Sequence, residues 1–237
     1  MTFSIRRVSA IVAKDVKDLL KNAYAILITI FLPLGLAAML SRSGSDDASL
    51  LGTPINLALV ITGAFVQATI MAEEKEKNTL RALLLSPATR MEIMLGKSLL
   101  SSLITILVVI GSIFISNMQV PGLFYFTIMV LLSLIIFISF GTIIGLVSRT
   151  VMETSIVGLP LLVIFTYGSI ISAMLDNPLV SKIITYLPTE SFSSALNILE
   201  QNGGFSEIKW HLLNMLLWAI SSLVIAIISY GKSRFDK

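Results

Sequence analysis

The side chains that could carry out chemistry are few in this sequence, and most of them lie in one stretch, residues 73–97. That stretch holds five basic and four acidic residues, whereas the chain has one histidine, His211, and no cysteine. One imidazole without a thiol or a second imidazole cannot form a zinc cluster or a cysteine–histidine nucleophile within one chain. We therefore expect no catalytic, metal-binding or cofactor-binding residues here.

Two Gly-Lys-Ser tripeptides, at residues 96–98 and 231–233, share the end of the phosphate-binding loop of nucleotide-binding proteins. Such a loop needs a glycine-rich turn between a strand and a helix, so that backbone N–H groups surround the phosphates. Met91 stands where the first motif needs its glycine, and the second tripeptide follows a long apolar run. The sequence therefore predicts no ATP-binding site in this chain.

Residues 73–84 have the pattern of a helix. Glu73 and Lys77 stand four residues apart, a spacing that pairs opposite charges on one helix face. Leu80, Leu83 and Leu84 would form an apolar edge on the same helix. A solvated loop is the alternative, although such a loop needs no helical pattern.

A break and a second helix follow in the sequence. Ser86 precedes Pro87, and proline disfavours the helical conformation in the residue before it. Thr89 and Glu92 then form the capping-box pattern, in which each side chain bonds the backbone N–H of the other residue at a helix start. Residues 73–97 are therefore predicted to build a helix, a sharp break and a second helix.

The composition indicates what kind of helices flank residues 73–97. Hydrophobic residues make up 55% of the 237 residues, charged residues make up 13%, and the mean hydropathy is +0.91. A soluble domain carries about 25% charged residues, so lipid is the expected solvent. About 20 helical residues cross a bilayer core. The stretches long enough to do so are about 24–41, 50–72, 98–116, 123–147, 154–175 and 210–230. We expect an all-α integral membrane protein with six transmembrane helices, in which residues 1–237 form one domain.

The basic residues indicate the orientation, because short cytoplasmic loops retain lysine and arginine. With both termini in the cytoplasm, all of the 17 basic residues except Arg42, Lys182 and Lys209 lie on the inner side. Residues 5–23 repeat apolar side chains every three or four positions, a pattern typical of an interfacial helix. A simple basic flank is the alternative reading of that segment. The excess positive charge faces membrane lipids, so no nucleic-acid partner is expected.

Two of the predicted spans carry polar or small residues along one face. At 100° per residue each set falls within a narrow arc. The sets are Thr53, Asn56, Gly63 and Gln67 on the second span, and Ser155, Gly158, Thr166 and Ser169 on the fifth. Small residues favour tight helix packing, as at Gly141 and Gly145 of the fourth span. Gln67 is a long polar side chain near mid-membrane, which favours the wall of a translocation pathway.

Residues 176–209, on the predicted outer side, contain two apolar runs divided by Pro188. Neither run is long enough to cross a bilayer. We expect two short outer helices before the last span, either dipping into the outer leaflet or covering the outer mouth of a pathway.

Residues 72–97 read Ala-Glu-Glu-Lys-Glu-Lys-Asn-Thr-Leu-Arg-Ala-Leu-Leu-Leu-Ser-Pro-Ala-Thr-Arg-Met-Glu-Ile-Met-Leu-Gly-Lys. This segment resembles the stretch between spans two and three of type-2 ABC transporter permeases, the transmembrane subunits of ATP-binding-cassette exporters. Six spans, both termini inside, a basic amphipathic first helix and short outer helices are also similar to that family. The likeness in layout therefore covers the whole chain.

The resemblance implies a coupling role for residues 73–92, which would dock on a separate cytoplasmic ABC ATPase subunit. Two copies of that ATPase would bind the ATP and Mg, and the permease would pair with a second copy of itself or a close paralogue through spans two and five. The residues expected to couple to the ATPase are Glu73, Glu74, Lys75, Glu76, Thr79, Leu80, Leu83, Ser86, Pro87, Arg90 and Glu92. The expected location is the cell membrane, and we expect a bacterial plasma membrane.

The uncharged helix faces suit an amphipathic or hydrophobic substrate, such as a drug, an antimicrobial peptide or a lipid-like molecule. A strongly anionic polymer would be expected to need basic pathway residues, which the predicted spans lack. An ion-coupled secondary carrier is one alternative, and a membrane-embedded enzyme or scaffold is another. The predicted spans contain no charged residue of the kind that proton or ion relays use, which argues against the carrier.

Overall fold

The computed structural model describes residues 4–21, 23–42, 51–77, 79, 89–117 and 119–232. Within these residues the chain is helical and contains no strand, which confirms the all-α prediction. The helices are α1 (Ile5–Lys21), α2 (Ala23–Ser41), α3 (Gly52–Glu76), α4 (Arg90–Ser116), α5 (Leu123–Val147), α6 (Val151–Leu175), α7 (Pro178–Thr185), α8 (Pro188–Glu200) and α9 (Phe205–Lys232).

Five of the described helices are long and apolar enough to cross a membrane, namely α3, α4, α5, α6 and α9. Each of these five corresponds to one of the six predicted spans. The first predicted span, residues 24–41, lies on α2, whose described apolar part, Thr29–Ser41, is shorter than the others. Helix α4 begins at Arg90, earlier than the predicted span, because the capping residues Thr89 and Glu92 start it before the apolar run.

Helix α3 lies at the centre of the molecule. Within its most apolar segment 83% is buried inside the chain, against 28% for α6 and 22% for α9. It packs against α2, α4, α5 and α6, while α9 packs on the far side of α5. The peripheral helices therefore present much of their surface to lipid, and α3 presents little.

Glycines bring α5 against the backbone of α3. A Cβ atom added to Gly141 would lie 2.3 Å from the carbonyl oxygen of Ala64, and one added to Gly145 would lie 2.5 Å from that of Ala68. Only residues without a side chain allow two helix backbones to approach this closely. The packing role predicted for Gly141 and Gly145 is confirmed.

A π-helical section, Ala58–Phe65, interrupts the α-helical winding of α3. A π-helix is wound more widely than an α-helix, with bonds from each residue to the fifth along the chain. Inside this section Thr62 donates a hydrogen bond of 2.8 Å to the carbonyl oxygen of Thr29 on α2. The part of α3 that follows this section, Val66–Glu76, is therefore rotated relative to the position that a continuous α-helix would give it.

Two short helices precede the last long helix, as predicted, namely α7 and α8, separated at Pro188; their location on the outer side stays a prediction. Asn214 and Trp218 of α9 both donate to the carbonyl oxygen of Tyr186, at the end of α7. Thr189 of α8 donates a 2.6 Å bond to the carbonyl oxygen of Phe165, close to the point where α6 departs from helical geometry. These contacts fix α7 and α8 to α6 and α9.

The contact between α3 and α5 gives the first testable prediction. Gly141→Ala places a Cβ 2.8 Å from Cβ of Gln67 as well as against the Ala64 carbonyl, so the helices must separate. We expect a loss of about 1–3 kcal/mol in the free energy of unfolding, measured by thermal unfolding in detergent. The control is Gly35→Ala, because a Cβ at Gly35 meets no atom within 4 Å. Equal unfolding temperatures for the two variants would contradict the assigned contact.

Candidate functional site

Helix α1, the C-terminal end of α3 and the N-terminal part of α4 meet at a buried ammonium group. Nζ of Lys97 lies 2.7 Å from Oδ1 of Asp15 and 2.8 Å from Oε1 of Glu74. The Lys97 side chain is fully buried, and the two carboxylates are 3% and 6% exposed. A buried charge is tolerated only when it is paired and hydrogen-bonded. The three helices are therefore joined by this charge cluster, because separating any one of them from the others would leave a buried charge unpaired.

Glu74 has further partners within the same cluster. Its Oε1 also accepts from Nζ of Lys14 on α1, and its Oε2 accepts from the hydroxyl of Thr79. Both carboxylate oxygens of Glu74 are thus occupied by partners from three parts of the chain. Glu74 and Thr79, two of the predicted coupling residues, lie inside this cluster.

A second carboxylate, Glu92, joins the start of α4 to the start of α1. The predicted capping box is confirmed, since Thr89 and Glu92 bond each other's backbone N–H. The Glu92 carboxylate also accepts from the backbone N–H of Ser4 and lies 3.3 Å from the guanidinium of Arg7. Glu92 is completely buried. It therefore binds α1 as well as capping α4.

The remaining charges near the end of α3 lie closer to the surface. Glu73 and Lys77 form the predicted ion pair, and the hydrogen bond to Glu73 raises the pKa of the Lys77 ammonium. Nζ of Lys75 donates a 2.6 Å bond to the carbonyl oxygen of Leu146, at the end of α5. The Glu76 carboxylate accepts a 3.0 Å bond from the first backbone N–H of α6. Lys75 and Glu76 thus hold the turn between α5 and α6.

Part of the predicted coupling segment lies outside the described residues. This applies to Leu80, Leu83, Ser86 and Pro87, and to the side chain of Arg90. The described part reaches from Glu73 to Lys77, with Thr79 and the start of α4. The described end of α3 is thus bonded to α1, α4, α5 and α6.

The residues of the polar face predicted on the second span have different surroundings in the structure. Gln67 is buried, donates 3.0 Å to the hydroxyl of Thr142 on α5, and accepts 2.7 Å from the hydroxyl of Ser101 on α4. Asn56 donates 2.9 Å to the Ser193 hydroxyl on α8, whereas Thr53 is exposed. Gly63 is also buried, and a Cβ there would meet Thr105 of α4 at 3.5 Å. The π-helical section lies between Asn56 and Gln67, so the constant 100° step assumed in the prediction does not hold across it.

The polar face predicted on the fifth span, α6, is also divided. Gly158 packs against Ile144 of α5, and Ser169 is exposed and donates to the Glu190 carboxylate on α8. Ser155 and Thr166 instead line a groove of about 400 Å³ between α2, α3 and α6. The other lining residues are Thr29, Leu32, Ile61, Phe65, Leu159, Leu162, Val163 and Tyr167. The groove is therefore apolar, with a few hydroxyl groups and no charge among its lining residues.

Sequence reasoning missed Asp15 and the role of Lys97. A signal for Asp15 was present, because it lies four residues after Ile11 and so on the apolar side of α1. Ile11 packs against α4, where a Cβ added to Gly96 would lie 3.0 Å from its side chain. A carboxylate on the apolar face of an amphipathic helix indicates a buried partner. The sequence gives no sign that the partner is Lys97.

The family described as "ABC-2 family transporter protein" matches residues 48–228. The chain belongs to the ABC-2 family. It is thus a multi-pass membrane permease subunit of an ABC transporter, a kind of subunit that works with an ATPase. The matched region contains the described charges at the end of α3, the start of α4 and the groove residues that lie on α3 and α6. No curated protein matches the chain significantly.

The charge cluster gives the second testable prediction. Lys97→Met would leave two buried carboxylates without their shared ammonium group, so we expect a loss of about 3–5 kcal/mol in the free energy of unfolding. Lys77→Met is the matched control, because Lys77 is exposed and such pairs contribute about 0–1 kcal/mol. Thermal unfolding of both purified variants measures the difference. If Lys97→Met unfolds at the temperature of the control, the cluster does not hold the helices together.

Proposed function

We propose that this ABC-2 permease exports an amphipathic or hydrophobic molecule, such as a drug, an antimicrobial peptide or a lipid-like molecule, and is driven by a separate cytoplasmic ATPase. The observation that carries the proposal is the fixation of Glu74 to α1 and α4 through Lys97. A force applied by the ATPase to residues 73–92 would reach all three helices, because the cluster resists separation. The ATPase would thus drive the permease from its cytoplasmic face.

The groove beside α6 is the proposed pathway surface. Apolar side chains and the hydroxyls of Ser155 and Thr166 suit a cargo that is mostly apolar with a few polar groups. Since α6 is only 28% buried, much of its surface is available to a second permease copy or a close paralogue. For Gln67, the two hydrogen bonds support a packing role instead of a place in the pathway.

The proposed arrangement in the membrane follows from helix lengths and charges. Helix α2 has 19 residues, or about 28 Å at 1.5 Å per residue, which is enough for a sixth span. With six spans and the basic α1 under the inner leaflet, both termini lie in the cytoplasm. Two ATPase subunits, each binding ATP and Mg, would contact a permease dimer in a bacterial plasma membrane.

The experiment that tests the function is a pull-down of the tagged protein from native membranes in mild detergent. We expect an associated ATPase of one domain or more, about 200–300 residues, and ATP hydrolysis that vanadate inhibits. If the intact, monodisperse protein carries neither, the proposal is wrong, and an ion-coupled carrier or a membrane enzyme becomes the better assignment. Sensitivity to dissipated ion gradients then identifies the carrier, whereas substrate turnover without ATP identifies the enzyme.

The coupling assignment gives the third testable prediction. Reversing the charges of Glu73 and Glu76 to lysine should abolish stimulation of the ATPase while the protein remains inserted. Both residues lie at the start of residues 73–92, the segment proposed to dock on the ATPase. Glu74 is left out, since its replacement would open the buried cluster. Glu207→Lys, at the exposed outer start of α9, is the control. Normal ATPase stimulation in the double variant would contradict the coupling role.

The groove gives the fourth testable prediction. Leu159→Trp should fill the groove and lower the stimulation of ATPase activity by hydrophobic drugs or peptides, while the ATPase still co-purifies. Leu161→Trp is the matched control, because Leu161 lies on the same helix, has similar exposure and does not line the groove. Identical responses of the two variants to a panel of cargo molecules would exclude the groove as the pathway.

A further inference from the structure

A second groove, of about 300 Å³, lies between α4, α5 and α9 and shares no lining residue with the groove beside α6. Helices α4 and α9 each pack against α5 and make little direct contact with each other. The groove is open at its walls, where Leu95, Ile135 and Leu223 are 46%, 43% and 42% exposed. Since all three helices are long and apolar enough to cross a membrane, the groove opens sideways to the lipid.

Two serine hydroxyls of this groove make no hydrogen bond to any described residue. Ser139 of α5 is only 4% exposed, and Ser98 of α4 is half-buried. The hydroxyl of Ser133, also on α5, is unpaired as well, but it is fully enclosed, whereas that of Ser139 lines the groove. The bilayer core holds no water that could bond these groups. A buried hydroxyl without a partner is unfavourable, so the two serines indicate a ligand with hydrogen-bond acceptors.

The other lining residues restrict the chemistry of that ligand. None of them carries a charge, so a charged group held in the groove would be unpaired. The remaining two hydroxyls already have acceptors, since Ser102 donates 2.7 Å to the carbonyl oxygen of Ser98 and Thr142 donates 2.9 Å to that of Ile138. The eight other lining residues are apolar. The ligand is therefore mostly apolar, uncharged within the groove, and an acceptor of hydrogen bonds.

The position of the groove along the helices agrees with an acyl ester of a membrane lipid. Helix α4 has 27 residues, or about 40 Å, so about 5 Å at each end extends beyond a core of about 30 Å. Met94, the first lining residue of α4, lies four residues after Arg90, about 6 Å along the axis and close to the core boundary. Ser98 is one turn deeper. Lipid esters lie near that boundary and their acyl chains extend inward, and an ester has carbonyl acceptors and no donor.

We propose that this groove binds a membrane lipid, with an acyl chain along the apolar lining and ester carbonyl oxygens accepting from Ser139 and Ser98. The charged head of the lipid stays outside the groove. This site does not depend on the proposed function, because the groove is separate from the proposed pathway and from the coupling segment. The lipid would fill the space between α4 and α9, which otherwise contact each other little, and would thus hold both helices to α5.

The ester contact is tested by lipid binding to the purified permease. Dioleoyl phosphatidylcholine is titrated into the protein in detergent, and native mass spectrometry measures the lipid that stays bound. The diether analogue, with the same head and chain length, lacks the carbonyl oxygens. We expect one retained diester molecule and about fivefold weaker binding of the diether, which corresponds to one hydrogen bond of about 1 kcal/mol. Equal affinities would overturn the proposed contact.

The serine pair Ser139 and Ser133 tests the named hydroxyl. Ser139→Ala should weaken the diester about fivefold and leave the diether unchanged. Ser133→Ala is the matched control, because it removes an unpaired hydroxyl from the same helix outside the groove. It should change neither affinity. An unchanged diester affinity in Ser139→Ala, or an equal loss in the two variants, would overturn the assignment of the hydroxyl.

The location is tested by filling the groove. Leu223→Trp should abolish retention of the lipid, whereas Val224→Trp should not, because Val224 has similar exposure on the same helix and does not line the groove. Equal retention in the two variants would overturn the location, and the serine variants decide the case if Leu223→Trp does not assemble.

A hydrophobic cargo molecule is the competing occupant. If Leu223→Trp keeps the lipid but loses the stimulation of ATPase activity by drugs, the groove is a cargo site and the lipid assignment is wrong. Lipid retention is measured on the permease alone, so it is decided separately from the presence of an ATPase.

Discussion

The burial of one ammonium group, that of Lys97, constrains the half of the structure that contains α1, the end of α3 and the start of α4. An unpaired charge in a membrane protein interior costs several kcal/mol, so Asp15 and Glu74 must remain beside it. These carboxylates lie on two different helices, and Lys97 lies on a third. Helix α1 is consequently an integral part of the helical bundle. Glu92, about one turn earlier on α4, is also a buried charge whose partners lie on another element, since it binds Ser4 and Arg7 of the N-terminal segment.

The acidic segment at the end of α3 therefore has two faces. Glu74 is directed inward to the buried cluster, while Lys75 and Glu76 reach sideways to the end of α5 and the start of α6. At the opposite end, Asn56 joins α3 to α8, and Thr189 joins α8 to α6. The central helix is thus fixed at both ends by polar contacts and along its length by glycine packing. Among the described contacts made by α3 itself, charged side chains contribute only at the end that carries Glu74, Lys75 and Glu76.

The sequence allowed prediction of the features that depend on near neighbours along the chain. The apolar runs located five helices, Thr89 with Glu92 gave the capping box, and Pro188 gave the division between α7 and α8. The features that depend on distant partners could not be predicted. Asp15 and Lys97 are 82 residues apart, and nothing in either local pattern names the other. The π-helical section lies between Asn56 and Gln67, so the single polar face drawn through Thr53, Asn56 and Gln67 does not hold.

The contrast in burial between α3 and α6 bears on how such a permease could diversify. Helix α3 meets α5 through backbone atoms at Gly141 and Gly145, so most substitutions there would disturb assembly. Helix α6 contributes Ser155, Leu159 and Thr166 to the groove, and it is largely uncovered. Substitutions on that surface alter the lining without touching the scaffold. The chain thus separates residues that the close helix packing constrains from residues of α6 that can be changed at little risk to folding.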